Sequence, residues 1–179
     1  VEASGFRYKN ILAEKIIFCE GFYVADNPFF SWLPFNPVKG ETLLGTIKDY
    51  DIKPIVNKGK WIMPLGGNKV RLGATYSWHE LDFENTEKGR DELLNNVQKV
   101  LKTEFEVISQ QAGLRPSTKD RRPILGKHPD IENMYIFNGL GTKGVSLAPY
   151  FVKQLLDFIF HQKDINPEAN IERHYALYS

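Results

Sequence analysis

The sequence predicts an α+β, mixed α/β chain, and three observations carry that reading. Residues 38–76 hold short β-branched and aromatic runs separated by glycine- and asparagine-rich turns, which is the chemistry of antiparallel hairpins. Residues 86–105 place apolar side chains at three- and four-residue spacing, the period of an amphipathic helix covering a sheet. Residues 134–161 pass from an apolar strand signal through a glycine-rich turn into an apolar helix signal.

Taken in chain order, residues 5–17 read as strand, turn and strand. The run Lys15-Ile16-Ile17-Phe18-Cys19 is short and β-branched and is followed by Gly21, as for a strand buried on both faces. Residues 27–37 combine three prolines with several aromatics and no regular period, so they predict a loop with apolar anchors and a candidate domain crossing. Strands are expected at 41–47, 54–56, 60–63 and 69–76, with turns at Asn57-Lys58-Gly59 and Gly66-Gly67-Asn68. The helix at 86–105 buries Leu93, Leu94, Val97, Val100, Leu101 and Phe105. Further strands are expected at 106–111 and 134–137, and a last helix at 146–161 with Pro149 in its first turn. The tail after Asn166 is polar and gives no pattern.

Composition narrows the function classes. With 42% hydrophobic residues in 179, the chain can bury a sizeable core as one domain or two small ones. Lys and Arg number 23 against 22 Asp and Glu, with no long run of either sign, so charge supplies no nucleic-acid or membrane-surface footprint. One cysteine, Cys19, rules out an intrachain disulfide framework and suits a reducing, cytoplasmic setting; a buried strand thiol is its expected state. The histidines His79, His128, His161 and His174 share no metal-ligand spacing, and no metal is expected. No apolar run approaches the roughly 18–20 residues of a spanning helix, and the first four residues resemble no signal or transit peptide. The chain starts without Met and in mid-phrase, which suggests a piece of a longer protein.

The stretch Asn138-Gly139-Leu140-Gly141-Thr142-Lys143-Gly144-Val145-Ser146-Leu147-Ala148-Pro149 places three glycines between a strand and a helix. Backbone N–H groups there are free of side-chain cover. Together with the positive end of the helix dipole they can receive a phosphate, a carboxylate or an electron-rich ring edge. The same glycines also suit a plain strand-to-helix turn that needs positive φ. Upstream lies Gly113-Leu114-Arg115-Pro116-Ser117-Thr118-Lys119-Asp120-Arg121-Arg122-Pro123-Ile124-Leu125-Gly126.

These two segments resemble the D-amino-acid oxidase, glycine oxidase and sarcosine oxidase superfamily of FAD-dependent oxidoreductases. In that family a G-x-R-P…D-x-x-P-x-x-G segment precedes a strand and a glycine-rich turn opening the last long helix. Gly113, Arg115, Pro116, Asp120, Pro123 and Gly126 match the first part; Gly139, Gly141, Gly144, Ala148 and Pro149 match the second. Residues 16–21 resemble the family's strand ending in a glycine beside the flavin. Residues 36–41, 61–64 and 71–75 resemble its substrate sheet.

The resemblance implies oxidation of an amine or amino acid: hydride leaves the amine-bearing carbon for flavin N5, giving an imine. It assigns cofactor binding to Gly21, Gly113, Gly139, Leu140, Gly141, Thr142, Lys143, Gly144, Val145 and Ser146, with the amides of residues 139–146 at the flavin N1 and C2 carbonyl end. Arg115 matches the residue that holds the substrate carboxylate in amino-acid-oxidising relatives, against the alternative of an ordinary ion pair with Asp120. Lys143 matches a lysine of the sarcosine-oxidase branch contacting flavin and carboxylate, against simple solvation. The glycine-oxidase branch has an arginine one position earlier, where Thr142 stands, so the substrate subclass stays open. Trp61 and Tyr76 fall near cavity-lining positions, against ordinary core packing. No catalytic residue is assigned.

A full member opens with strand, G-x-G-x-x-G turn and helix. No such segment is found in these 179 residues. The expected organisation is a substrate-binding domain at 36–112 and, at 1–35 and 113–179, remnant strands and the C-terminal helix of an FAD-binding domain. FAD is then expected in the full-length protein and not in this piece alone, whose partner is a small amine or amino acid. A cofactor-free binding or regulatory module and an enzyme acting on an amine of modified RNA are the competing readings; the near-neutral charge counts against RNA.

Overall fold

The computed structural model describes residues 5–49 and 51–178. In chain order the strands and helices are β1 (Phe6–Tyr8), β2 (Ile11–Ala13), β3 (Ile16–Phe18), β4 (Val38–Ile47), β5 (Val56–Lys58), β6 (Lys60–Gly66), β7 (Lys69–Gly73), α1 (Glu87–Gln98), β8 (Phe105–Arg115), β9 (Ile124–Lys127), β10 (Met134–Asn138) and α2 (Gly144–His161). Short 3₁₀ turns cover Gly21–Asp26, Gly141–Lys143 and Ile171–Leu177. The mixed α/β architecture with antiparallel sheets is as expected. The chain divides into two compact units, Val38–Leu114 and the pair of segments Val1–Pro37 and Arg115–Ser179.

The unit Val38–Leu114 is a five-stranded sheet in the order β5-β6-β7-β4-β8. Its hairpins arise where glycine accepts positive φ: Gly59 at +77° between β5 and β6, and Gly66 and Gly67 at +100° and +59° between β6 and β7. Alternate residues of the strands point one way, so Leu43, Ile47, Ile62, Val70 and Leu72 meet Leu93 and Val97 of α1 in one core. The helix is shorter than its periodicity suggested. After Gln98 the amides of Val100 and Leu101 turn back to the Val97 carbonyl, and Phe105 opens β8 instead of closing the helix; all three side chains still pack on this core.

The start of α1 has an unusual anchor. Thr86 caps it, its Oγ1 accepting from Gly89 N at 2.9 Å. In a capping box the third helical residue would return a carboxylate to the cap N–H. Here that residue is Gly89, and Glu41 of β4 takes the role: its carboxylate accepts from Thr86 N (2.9 Å), Thr86 Oγ1 (2.7 Å) and Gln110 Nε2 (2.5 Å). A Cβ on Gly89 would stand 2.4 Å from Glu41 Oε1. Glycine is therefore required by the neighbouring strand.

In the other unit, β3, β10 and β9 form a three-stranded sheet with β10 central, parallel to β3 and antiparallel to β9. Phe30 and Leu33 from the proline-rich loop are buried with Val24, Ile124, Met134, Ile136 and Ile171. A second cluster sets Phe151 and Leu155 of α2 on Leu125, Tyr135, Ile165 and Ala169. β9 was not anticipated as a strand. β3 is not buried on both faces: Ile17 is 38% exposed, and Cys19 beyond it is exposed rather than a buried thiol. Its surroundings still push the thiol pKa up, through partial desolvation and the adjacent Glu20. α2 begins two residues earlier than expected, so Pro149 lies in the second turn and not the first. The carbonyl it leaves without a donor belongs to Val145, a fully solvated residue. Among the described residues no helix is long and apolar enough to cross a membrane.

Candidate functional site

The glycine turn is built where β10 ends. Asn138 is buried, and its side chain makes two bonds: Oδ1 accepts from Gly139 N at 2.8 Å and Nδ2 donates to Gly21 O at 2.8 Å. This one amide joins Gly21 and Gly139, two glycines singled out separately in the sequence and 118 positions apart. Only the register of β3 with β10 reveals the pairing, because the signal in the sequence is a single asparagine at a strand end. Gly21 and Gly139 have φ of +62° and +74°.

The glycines serve different ends. A Cβ on Gly139 would meet Thr118 Cγ2 at 2.9 Å and Ile124 N at 3.1 Å, and one on Gly141 would meet Ser117 Oγ at 3.2 Å. Those two are required for close packing against residues 117–124. Gly21 and Gly113 have open space on the Cβ side, so their bare backbone is accessible. The amides also divide. Gly139 N is used by Asn138, Gly141 N by Pro116 O at 3.3 Å and Lys143 N by Leu140 O at 3.1 Å. These three are spent inside the protein. Gly144 N closes the 3₁₀ turn Gly141–Lys143, and the next first-turn amides of α2, Val145 and Ser146, have no α-helical acceptor.

That helix end is undefended. Its cap residue Lys143 makes no side-chain capping bond, no acid stands in the first turn, and Val145 is 98% exposed. The Ser146 hydroxyl donates to Lys143 O at 3.0 Å. An 18-residue helix thus presents its positive end with no carboxylate in its own first turn. Thr142 and Lys143 are exposed beside it, and Leu140 is half-buried. Bare glycine backbone and an uncapped helix N-terminus fit the electron-rich pyrimidine end of a flavin, which needs N–H donors and no intruding side chain.

Arg115 closes β8 and is half-buried. Asp120, five residues on, is engaged elsewhere: its Oδ2 receives Nε and Nη2 of Arg173 at 3.3 and 3.2 Å, and its Oδ1 accepts from Arg122 N. Partial burial pushes the Asp120 carboxyl up, but the Arg122 amide and the Arg173 charge help hold it below its ordinary value. Arg173 comes from the tail that showed no pattern in the sequence.

The two predicted aromatics have separate surroundings. Trp61 lies over Gly73, its cross-strand partner, where a Cβ would be 2.3 Å from the ring; this is the sheet face opposite α1. Tyr76 is 51% exposed and stacks on Trp78 at 6.1 Å between centroids. Lys60 stands 5.9 Å from the Tyr76 ring, donating to Ala74 O and pairing with Glu92 of α1. Neither aromatic is a core residue. Among the described residues no group of three His, Cys, Asp or Glu is placed to hold a metal ion.

Comparison with known proteins settles the lineage, since a family model described as FAD dependent oxidoreductase (DAO) matches residues 1–157. The chain belongs to the DAO family. Glycine oxidase of Bacillus subtilis is 28% identical over 171 residues, covering 89% of this chain and 44% of that protein. Glycine oxidase of Pseudomonas aeruginosa is 23% identical over 160 residues, covering 87% and 44%. Among solved structures, iminodiacetate oxidase from Chelativorans sp. BNC1 superposes with a TM-score of 0.77 at 25% identity, over 92% of this chain and 46% of that one. This DAO-family chain therefore spans less than half the length of each of these three relatives.

Proposed function

We propose that the protein takes part in FAD-dependent oxidation of a small amine or amino acid. Membership of the DAO family supports this reading, and the observation that carries it is the uncapped N-terminus of α2 behind the Asn138-linked glycines. FAD, when bound, supplies the acceptor for hydride from the amine-bearing carbon. The chain's own part is electrostatic and positional: the first-turn amides of α2 favour negative charge at one end of the ring, while Gly21 leaves room for its approach.

Within this reading Arg115 binds the substrate carboxylate through its planar fork, and the exposed Lys143 adds a positive charge beside the turn. Trp61 and Tyr76, each on its own surface of the five-stranded unit, offer apolar contact to the substrate. Glycine oxidases and iminodiacetate oxidase among the relatives make an amino acid the favoured substrate class. By itself the chain grips the cofactor weakly and turns over little, because no dinucleotide-binding G-x-G-x-x-G segment occurs in these residues. Its single exposed thiol suits the cytoplasm.

The test is flavin absorbance, and its bleaching by amines under anaerobic conditions, in this chain and in the full-length gene product. Full-length protein that binds no flavin defeats the proposal. Arg115→Ala in the full-length protein is expected to lose activity on amino acids far more than on carboxylate-free amines, and equal losses would remove Arg115 from the carboxylate role.

A further inference from the structure

The C-terminal tail, which the family match does not reach, grips the loop beneath the glycine turn. Arg173 is the centre of that grip. Its guanidinium makes four hydrogen bonds: Nε and Nη2 to Asp120 Oδ2, Nη2 also to Pro123 O at 3.0 Å, and Nη1 to Asn170 O at 3.0 Å. Only 17% of the Arg173 side chain is exposed. Charge-assisted bonds from a planar fork at such a site hold geometry more firmly than a surface ion pair does.

The held segment, residues 116–123, is itself internally braced. Thr118 is buried and its hydroxyl donates to Arg122 O at 2.8 Å, while Arg121 N returns to Thr118 O at 3.1 Å with Arg121 at φ +59°. Its far side is tied down by Asn36 N on Ser117 O at 2.7 Å and Lys119 N on Pro34 O at 3.1 Å. The surface so formed is what the glycine turn rests on. Pro116 O receives Gly141 N, and Thr118, Arg122 O and Ile124 N occupy the space beside Gly139.

We propose that Arg173 is a positioning residue for the turn at residues 139–146, acting through Asp120 and the loop 116–123. The proposal rests on the flavin reading of that turn for its functional meaning, though not for its mechanics. Without the guanidinium, Asp120 keeps the Arg122 amide but loses its counter-charge, and Pro123 O and Asn170 O lose a donor. The loop then loosens on the side facing the tail, and the turn above it moves with it.

Hydrogen exchange measured by mass spectrometry on the whole chain tests the mechanics, comparing wild type with Arg173→Ala, Arg173→Lys and Asp120→Asn. Arg173→Ala is expected to speed exchange about tenfold across 116–123 and 139–146, the scale of losing one hydrogen bond to a charged group. Asp120→Asn should accelerate the same segments, and Arg173→Lys should fall between, since an ammonium cannot reach all three acceptors. Strands β4 to β7 should exchange as in wild type. Faster exchange confined to 169–178, with 139–146 unchanged, overturns the proposal. So does uniform acceleration across every segment, which would mark a general loss of stability.

A second measurement keeps the two readings apart. In the full-length gene product, Arg173→Ala is expected to weaken FAD binding about tenfold, and an unchanged dissociation constant overturns the link from Arg173 to the cofactor. Wild-type protein that binds no flavin instead sinks the flavin reading of the turn, whatever the exchange pattern.

Discussion

The two units solve the burial problem differently. In Val38–Leu114 one helix seals one sheet face, and even the buried charges are partnered: Glu41 by Thr86 and Gln110, Lys39 by Asp82. The other unit buries the inner side of α2 through Phe151 and Leu155, yet leaves Tyr150, Leu156 and Phe160 58%, 42% and 64% exposed. Its β3 pairs in parallel with β10 and stands at the edge of the described sheet. Parallel strands are generally covered on both faces, so this unit has less self-sufficient packing. The uncapped helix end and the open Gly21 belong to the less sealed unit, while the open Gly113 lies in β8 of the other.

The sharpest way to break the comparison is a core truncation. Leu43→Ala is expected to cost about 2–5 kcal/mol in urea unfolding, because the sheet and α1 cannot collapse into the space. Next comes the helix anchor: Glu41→Ala should cost about 2–3 kcal/mol and speed exchange in the first turn of α1, since three donors lose a charged acceptor. If exchange there is unchanged, Thr86 alone caps the helix. In the other unit, Gly139→Ala forces a side chain to φ +74° and against Thr118, for an expected loss of about 1–3 kcal/mol read by thermal unfolding.

A smaller effect depends on pH. His128 is buried among Phe29, Phe30 and Tyr178, and its Nδ1 accepts from Asp130 N and Ile131 N at 3.1 and 3.2 Å. Burial lowers its pKa from 6.5, outweighing Asp130 and a backbone bond at Phe29, which raise it. The unfolded chain then binds the proton more readily than the folded one. Stability is full above about pH 6.5 and falls as the pH drops from there toward the depressed folded value. Melting temperature measured from pH 7.5 to 5.5 should show this slope, and His128→Gln should flatten it. The smallest effect is expected at Leu156→Ala on the open face of α2, below about 0.5 kcal/mol. A loss as large as that at Leu43 would mean the face is packed in solution.

Much of the fold was legible locally. The hairpin turns at Gly59 and Gly66–Gly67, the alternation along β4 and the apolar spacing through Leu93 and Val97 each report a period or a backbone requirement that neighbouring residues carry. Helix ends were less legible. Val100, Leu101 and Phe105 continue the helical spacing but pack on the core from a turn and a strand, so periodicity cannot distinguish them from helix. Likewise Pro149 falls in the second turn because α2 starts at Gly144 rather than at 146, which no local pattern showed.

By itself, the sequence determined the mixed α/β class, the family motif and the place of the glycine turn, because these depend on residues adjacent in the chain. Tertiary structure alone decided which glycines are bare and which are packed, that the Gly141 and Lys143 amides are spent internally, that Cys19 is exposed, and that Asn138 joins Gly21 to Gly139. It also brought Arg173 to Asp120 across 53 positions. Hydrogen bonds and close approaches of that kind depend on strand register and loop closure, and no local pattern encodes them.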